Sequence, residues 1–172
     1  MNLESILLSD DIVTSIKDNF DIILDYIPEI KFMINFDQKH PHHHLDLWNH
    51  TLYALSLSEK DFDIRVALLL HDIGKPFSYQ EGEIRHFKGH AKVSSKIAYN
   101  ILSRLEYEEE WIEYICELIR LHDSPITDKM INEMTYTEKL YKIQYCDAMA
   151  HHPDKLEHRI EYLEKTKKLL KK

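Results

Sequence analysis

The segment Ala67–Pro76 reads ALLLHDIGKP, an apolar run that ends in a histidine and an aspartate before a glycine and a proline. Asp61 precedes the run as an expected N-cap, and Phe62–Ile73 reads as a nearly all-apolar helix that Gly74 and Pro76 interrupt. A helix that is apolar on all sides is expected to lie buried at the centre of a domain.

The pair His71 and Asp72 at the end of this run is costly to bury unless a compensating charge, such as a divalent cation, accompanies it. Adjacent helical residues point about 100° apart, so both can flank one ion only where a helix ends, and Gly74 provides such an end. Mixed imidazole and carboxylate ligands suit manganese, iron, cobalt, nickel or zinc better than calcium. The chain also has twelve histidines, an excess that itself indicates a metal or acid-base site.

Apolar residues spaced by three and four continue outside this segment and indicate further helices. Roughly seven helices are expected, including the central one. One of them, at residues 11–34, can be broken. The others are expected at Leu45–Leu57, Ala91–Leu105, Glu108–Leu121, Thr137–Ala150 and Pro153–Leu170. No internal repeat and no alternating pattern of several strands is present. The sequence therefore predicts an all-α, single-domain helical bundle over residues 1–172, with a C-terminal helix at 153–172.

Composition and charge narrow the classes of partner. The formal net charge of −8 disfavours a polynucleotide grip, whereas a small anionic substrate stays compatible if a metal supplies positive charge. No apolar stretch reaches about 18 residues, and the acidic N-terminal segment lacks the basic start of a signal peptide. We therefore expect no membrane partner and a cytoplasmic location. Cys116 and Cys146 have no paired spacing and are expected to be buried free thiols.

Six residues in the order His, His-Asp, His, His, Asp resemble the HD phosphohydrolase superfamily pattern: His50, His71, Asp72, His90, His122 and Asp147. Within that superfamily the chain is most similar to the HD domain of bacterial CCA-adding tRNA nucleotidyltransferases. The similarity spans residues 28–151 and includes Pro28-Glu29, Gln38, HHHLDLWNHT at 42–51, LLLHDIGKP at 68–76, RHFKGHA at 85–91 and DAMAH at 147–151. A lone HD dipeptide would be weak evidence, since Leu121-His122-Asp123 supplies a second one by chance.

The resemblance implies an HD-type fold and a set of residues for each role. His50, His71, Asp72 and Asp147 are the implied ligands of a first divalent ion. At His90 and His122 some members of the superfamily hold a second ion, bridged by the aspartate of the first site, and others bind phosphate or transfer protons there. One or two ions are therefore expected.

The nucleotidyltransferases carry their polymerising head on a separate preceding domain, for which 172 residues leave no room. The resemblance therefore implies hydrolysis of a phosphomono- or phosphodiester rather than nucleotide addition. The substrate that the family implies is a nucleotide. Asp72 is expected to hold the ion and orient water, Lys75 to contact a phosphate oxygen, and His90 or His122 to protonate the leaving oxygen. The alternative for Lys75 is a cation at a helix C-terminus.

Two other functions stay open at this point. One is a non-catalytic module that binds a nucleotide or RNA in the same pocket and regulates another protein. The other is a metal-dependent oxygenase or lyase on the same scaffold, which the HDIGK text and Lys75 disfavour. The remaining expectations concern packing. The histidines of residues 40–44 are expected to be mostly exposed, although His43 or His44 could face the pocket. His151 and His152 are expected to be exposed, with support of the metal ligands as the alternative, and Trp48 and Phe87 to pack in the core.

Overall fold

The computed structural model describes residues 2–171, and among these the regular structure is helical, with a single isolated β-bridge between Gln80 and His86. The ten α-helices are α1 Leu3–Leu7, α2 Ile12–Asp18, α3 Phe20–Tyr26, α4 Leu47–Ser56, α5 Phe62–Leu70, α6 His90–Arg104, α7 Glu109–Leu121, α8 Asp128–Glu133, α9 Thr137–Met149 and α10 Glu157–Leu170. Short 3-10 turns lie at Pro28–Phe32, Lys75–Phe77 and Pro153–Lys155. The predicted all-α class is confirmed.

The number of helices exceeds the prediction because short ones escape a periodicity argument. The five residues of α1 and the six of α8 are each under two turns long, and α8 has no buried residue. The segment 11–34 is divided into α2, α3 and a 3-10 turn. Asn19 ends α2 and precedes α3, and Pro28 begins the turn, where its missing N–H costs nothing.

The central helix α5 holds the fold together. Asp61 caps it by accepting a hydrogen bond from the Ile64 amide at 3.0 Å, and every residue from 64 to 70 is buried. The helix packs against α4, α7 and α9. Each fully buried leucine in such a helix stabilises the fold by about 1.5 to 3 kcal/mol relative to an exposed one. One cation lies in this environment: Arg65 donates hydrogen bonds to the carbonyl oxygens of Leu7 and Ser9, at 2.6 and 2.7 Å.

Helix ends converge beyond the C-terminus of α5. His71 is the C-cap of α5, His122 is the C-cap of α7 and His90 is the first residue of α6. His50 lies in α4 and Asp147 near the end of α9. The central helix ends at Leu70, three residues before the predicted end at Ile73, so His71 and Asp72 occupy a turn rather than successive positions of a helix.

Close packing at Gly74 fixes α6 against this turn. The Gly74 amide donates to Ser94 Oγ at 2.9 Å, and a Cβ atom at residue 74 would lie only 2.5 Å from the Ser94 backbone nitrogen. Only glycine allows so close an approach. This contact sets the distance between the His-Asp turn and the start of α6, where His90 lies.

Two further expectations concern the rest of the chain. Cys116 and Cys146 are buried free thiols, as predicted, and burial raises the pKa of each thiol, to about 11 and about 12. Among the helices of residues 2–171, none has the length and apolar character that crossing a bilayer requires.

Candidate metal centre

Four predicted ligands meet beyond the C-terminus of α5. One ligand atom from each of His50, His71, Asp72 and Asp147 lies within 4.8 Å of all the others. His50 Nε2 is 3.0 Å from Asp147 Oδ1, and His71 Nε2 is 3.2 Å from Asp72 Oδ2. All four side chains are buried or nearly so. The arrangement could hold a divalent metal ion.

Backbone carbonyl groups set the orientation of both imidazoles in this first cluster. His50 Nδ1 lies 3.2 Å from the Ala150 oxygen, and His71 Nδ1 lies 2.7 Å from the Leu68 oxygen. A carbonyl oxygen can only accept, so each Nδ1 must carry the hydrogen. Each Nε2 therefore faces the carboxylates. Histidine ligands of metals in proteins are commonly held by such a hydrogen bond from the other ring nitrogen.

A second cluster joins Asp72 to His90 and His122. The Nε2 atoms of the two histidines lie 3.1 Å and 3.6 Å from Asp72 Oδ1. Their Nδ1 atoms point to the backbone oxygens of Phe87 and Ile119, at 2.9 and 2.7 Å. As in the first cluster, each Nδ1 therefore carries the hydrogen and each Nε2 is free to bind an ion, so this set could hold an ion as well.

Asp72 connects the two clusters because its oxygens face opposite sets of imidazoles. Oδ2 faces His50 and His71, while Oδ1 faces the second cluster. Lys75 Nζ is 2.7 Å from Oδ2 and donates a hydrogen bond to Gln38 Oε1 at 2.9 Å. Lys75 and Asp72 form an ion pair, but their geometry is not that of a hydrogen bond. Both Asp72 oxygens therefore lack a hydrogen-bond partner.

The charges of this group are strongly coupled. Burial acts to lower the pKa of His71, but the charges of Asp72 and Asp147 outweigh it and raise this pKa to about 10. Burial acts to raise the pKa of Asp72, and His71 and Lys75 hold it well below its usual range instead. The pKa of Asp147 is likewise lowered, against burial, by His151 and the neighbouring imidazoles. Both carboxylates are therefore anionic and attract a cation.

The donor set fits a divalent transition metal. His71 Nε2 and the two Asp72 oxygens are buried and lack hydrogen-bond partners. Leaving such atoms unpaired costs free energy, which a coordinated cation would recover. Imidazole nitrogen combined with carboxylate oxygen is the ligand chemistry of manganese, iron, cobalt, nickel and zinc.

Residues 42–170 match the family model described as the HD domain. This match covers most of the chain. The chain belongs to the HD-domain family. The family places it in a superfamily of metal-dependent phosphohydrolases, as the sequence pattern predicted.

Two curated relatives match part of this HD domain. A CC-adding tRNA nucleotidyltransferase of Thermus thermophilus is 36% identical over 106 residues, which is 56% of this chain and 24% of the relative. An A-adding tRNA nucleotidyltransferase of Deinococcus radiodurans is 32% identical over 88 residues, covering 46% of this chain and 20% of the relative. The HD domain thus spans about a quarter of the length of these relatives or less.

A cleft of about 680 Å³ opens onto both clusters of the HD domain. Its volume lies within the range of small-molecule binding sites. The cleft is lined by Asp72, Asp147, His90 and His122 from the clusters, and by Lys75 and Phe87 among the other residues that the sequence singled out. Phe87 is therefore half-exposed to the cleft rather than packed in the core, whereas Trp48 is buried as predicted and packs on Phe20.

The expected exposure of His151 was wrong, whereas His43 lines the cleft, as the sequence left open. His151 is buried, with Nδ1 2.8 Å from the Asp147 backbone oxygen, and its burial lowers its pKa to about 4. His43 lies with its ring 4.6 Å from that of His151, and its buried Nδ1 has no hydrogen-bond partner. The reason is a contact between distant segments. The His152 amide donates to the His42 oxygen at 2.7 Å and so holds residues 151 and 152 beside the histidine-rich segment 40–44.

Gln38 takes a role that the sequence argument did not assign. It is fully buried, accepts from Lys75 and donates from Nε2 to the Leu45 oxygen at 3.3 Å. Gln38 thereby holds the Lys75 ammonium beside Asp72. Its presence in the matched motif was the available signal, but an amide carries no charge or ligand chemistry that would have selected it. The contact of Lys75 with a phosphate stays a prediction.

Proposed function

We propose that this HD domain is a metal-dependent phosphohydrolase that cleaves a phosphomono- or phosphodiester of a nucleotide. The observation that carries the proposal is the sharing of Asp72 by two ligand clusters that open onto one cleft. Adjacent ion sites bridged by a carboxylate are suited to phosphoryl transfer, where charge develops on both the attacking and the leaving oxygen.

His50, His71, Asp72 and Asp147 would hold the first ion, and Asp72, His90 and His122 a second one. Manganese, iron, cobalt, nickel and zinc all suit these ligands. A bound divalent ion would supply Lewis-acid stabilisation of the phosphoryl oxygens and a lower pKa for a water molecule.

The side chains of the HD domain divide the remaining work. Asp147 and Asp72 are carboxylates held anionic at neutral pH, so an oxygen not engaged by an ion can accept a hydrogen bond from the attacking water and orient it. Lys75 lines the cleft beside Asp72, and its fixed positive charge attracts a phosphate oxygen. When no second ion is present, His90 or His122 can hold a proton on Nε2 for the leaving oxygen.

The names of the relatives favour a nucleotide as the substrate, since both are enzymes that add nucleotides to tRNA. Their names describe transfer rather than hydrolysis. The net charge of −8 disfavours a long polynucleotide, so a nucleotide or a nucleotide-sized end of RNA suits the cleft better.

The test is hydrolysis of bis-p-nitrophenyl phosphate and a panel of nucleotide mono- and diesters by untagged protein reloaded with each metal. Asp72→Asn should reduce the rate by at least a hundredfold while circular dichroism shows an intact helical fold. Asp128→Asn is the matched control, because this exposed aspartate on α8 belongs to neither cluster and does not line the cleft. If the protein binds nucleotides but hydrolyses none of the substrates with any of the metals, it is a regulatory module and the hydrolase is excluded.

A further inference from the structure

The cleft contains cationic groups that the two metal clusters do not use. These are Arg159 from α10 and Lys88 and Arg85 from the loop before α6, and the imidazoles of His40 and His86 line the cleft as well. The acidic residues of its lining are Asp72, Asp147 and Asp123. The chain as a whole has a net charge of −8, but at physiological ionic strength charges more than about 8 Å away are largely screened. A ligand in the cleft is therefore influenced mainly by the cations that line it.

Not every one of these cations is available to a ligand. Arg85 forms an ion pair with Glu81 at 3.0 Å and packs over Phe36 and Tyr79, with ring centroids 5.0 and 4.6 Å away. It therefore stabilises the loop. By contrast, within residues 2–171 no carboxylate pairs with Arg159 or Lys88.

The position of Arg159 follows from contacts between two chain segments. The His152 amide donates to the His42 oxygen at 2.7 Å, which holds the segment that precedes α10 beside residues 40–44. Burial is the main cause that lowers the pKa of both His40 and His42, and the charge of Arg159 adds to it, mainly at His42. Arg159 is half-buried, and both it and His40 line the cleft.

We propose that Arg159, together with Lys88 and His40, forms a second phosphate subsite, which binds a phosphate group of the substrate other than the one that is hydrolysed. The inference rests on the proposed function, because it takes the reacting phosphate to lie at the Asp72 clusters. The substrate class is then a nucleotide with two separate phosphate groups, such as a nucleoside bisphosphate or a short oligonucleotide end.

Size and chemistry both support this assignment. A cleft of about 680 Å³ is far larger than one phosphate group requires and accommodates a nucleotide. A guanidinium presents paired N–H donors in a plane that matches a phosphate, and His40 has one ring nitrogen occupied by the His42 amide at 3.3 Å, which leaves the other as a donor. Phe87 lies on the same cleft and offers an aromatic face to a base.

The experiment compares matched ligands on the metal-loaded full chain. The chromogenic substrates are thymidine 5′-(p-nitrophenyl phosphate) and the same compound with a 3′-phosphate. The 3′-phosphate should raise kcat/KM about tenfold, mainly through KM, as expected for one charge-assisted hydrogen-bonded group. Arg159→Gln should reduce this ratio to about one, Arg159→Lys should restore part of it, and Lys165→Gln, an exposed charge change on the same helix, should leave it unchanged.

Calorimetric binding of thymidine 3′,5′-bisphosphate and thymidine 5′-monophosphate separates this inference from the proposed function. If the bisphosphate binds more tightly than the monophosphate and Arg159→Gln abolishes this difference, the subsite is supported even if no phosphoester is hydrolysed. Hydrolysis with equal affinity for the two ligands overturns the subsite and leaves the hydrolase intact. Binding of inorganic phosphate that depends on Arg159, without any gain from the 3′-phosphate, also overturns it, because the site would then take free phosphate.

Discussion

The Nε2 atoms of His90 and His122 face each other at 3.2 Å. Each ring donates from Nδ1 to a backbone carbonyl oxygen, so in the neutral rings both facing nitrogens carry a lone pair. Asp72 Oδ1 lies close to both and is itself anionic. Three electron-rich atoms at such distances repel one another unless a cation lies between them, which is the physical reason for expecting an ion at this cluster.

Replacing His122 should remove one ion and spare the other. His122→Ala takes one of three ligands from the second cluster and none from the first. Elemental analysis after metal loading and desalting should therefore find about one ion fewer per chain than in the wild-type protein. His158→Ala, an almost fully exposed histidine on α10, should retain the wild-type content. An unchanged metal content in His122→Ala would contradict a second ion site here.

Lys75 should stabilise the metal-free protein more than the metal-loaded one. Lys75→Met leaves the buried Asp72 carboxylate without its nearest fixed cation, and breaking a buried pair costs about 3 kcal/mol. A bound metal compensates the same carboxylate, so the loss should shrink when metal is present. Urea denaturation with and without manganese measures both values. Lys92→Met, at an exposed site on α6, should change neither, and equal losses in the two states for Lys75→Met would refute this role.

The ligands of the clusters could be predicted because their chemistry is visible in residue type and order. His71 and Asp72 stand at the end of an apolar run, where burial is implied and compensation is needed. Gln38 could not be selected in this way, since its importance comes from the Lys75 ammonium that folding brings within 2.9 Å of it. Neither residue type nor local spacing encodes that contact.

The histidine-rich segment shows where local reasoning fails. Its polarity indicates exposure, and nothing in residues 40–44 encodes the hydrogen bond from His152 to His42 that covers it. The half-buried position of His43 thus depends on a contact between segments that are far apart in the chain. The helix pattern failed for a different reason, because α1 has only five residues and one turn cannot display a period.

Gly74 should not tolerate a side chain. In Gly74→Ala the new Cβ would lie 2.5 Å from the Ser94 nitrogen and 2.8 Å from the His90 oxygen, both backbone atoms that cannot turn aside. We expect a loss of about 2 to 3 kcal/mol in the free energy of unfolding and weaker metal binding, as α6 and His90 move away. Gly82→Ala, in the exposed loop, should cost less than about 1 kcal/mol. Comparable thermal stability for both variants would show that α6 can shift freely.

The Lys139 ion pairs should give the stability of the domain a defined dependence on pH. Lys139 Nζ lies 2.8 Å from Asp61 and 2.6 Å from Asp63. Burial acts to raise the pKa of Asp61, but the Lys139 hydrogen bond and the Ile64 amide lower it below its usual value of 3.8. A carboxylate whose pKa is lower in the folded than in the unfolded protein stabilises the fold at every pH above its unfolded pKa. This stabilisation is lost as pH falls through its folded pKa. The pKa of Lys139 is raised, so its charge persists at neutral pH.

Lys139→Met should therefore reduce the free energy of unfolding by about 1 kcal/mol at pH 7, a value discounted for the partial exposure of the three side chains. The difference from the wild type should stay constant between pH 5 and 8, begin to shrink below the unfolded pKa of 3.8, and be lost as pH falls through the lower pKa that Asp61 has in the folded wild type. Urea denaturation at pH 7, 5 and 3 measures it. Lys129→Met is the control, because its pair with Glu133 is exposed and 3.8 Å long, and should cost under about 0.5 kcal/mol throughout. A Lys139→Met difference as large at pH 3 as at pH 7 would mean that the lysine stabilises α9 through packing of its alkyl chain rather than through charge.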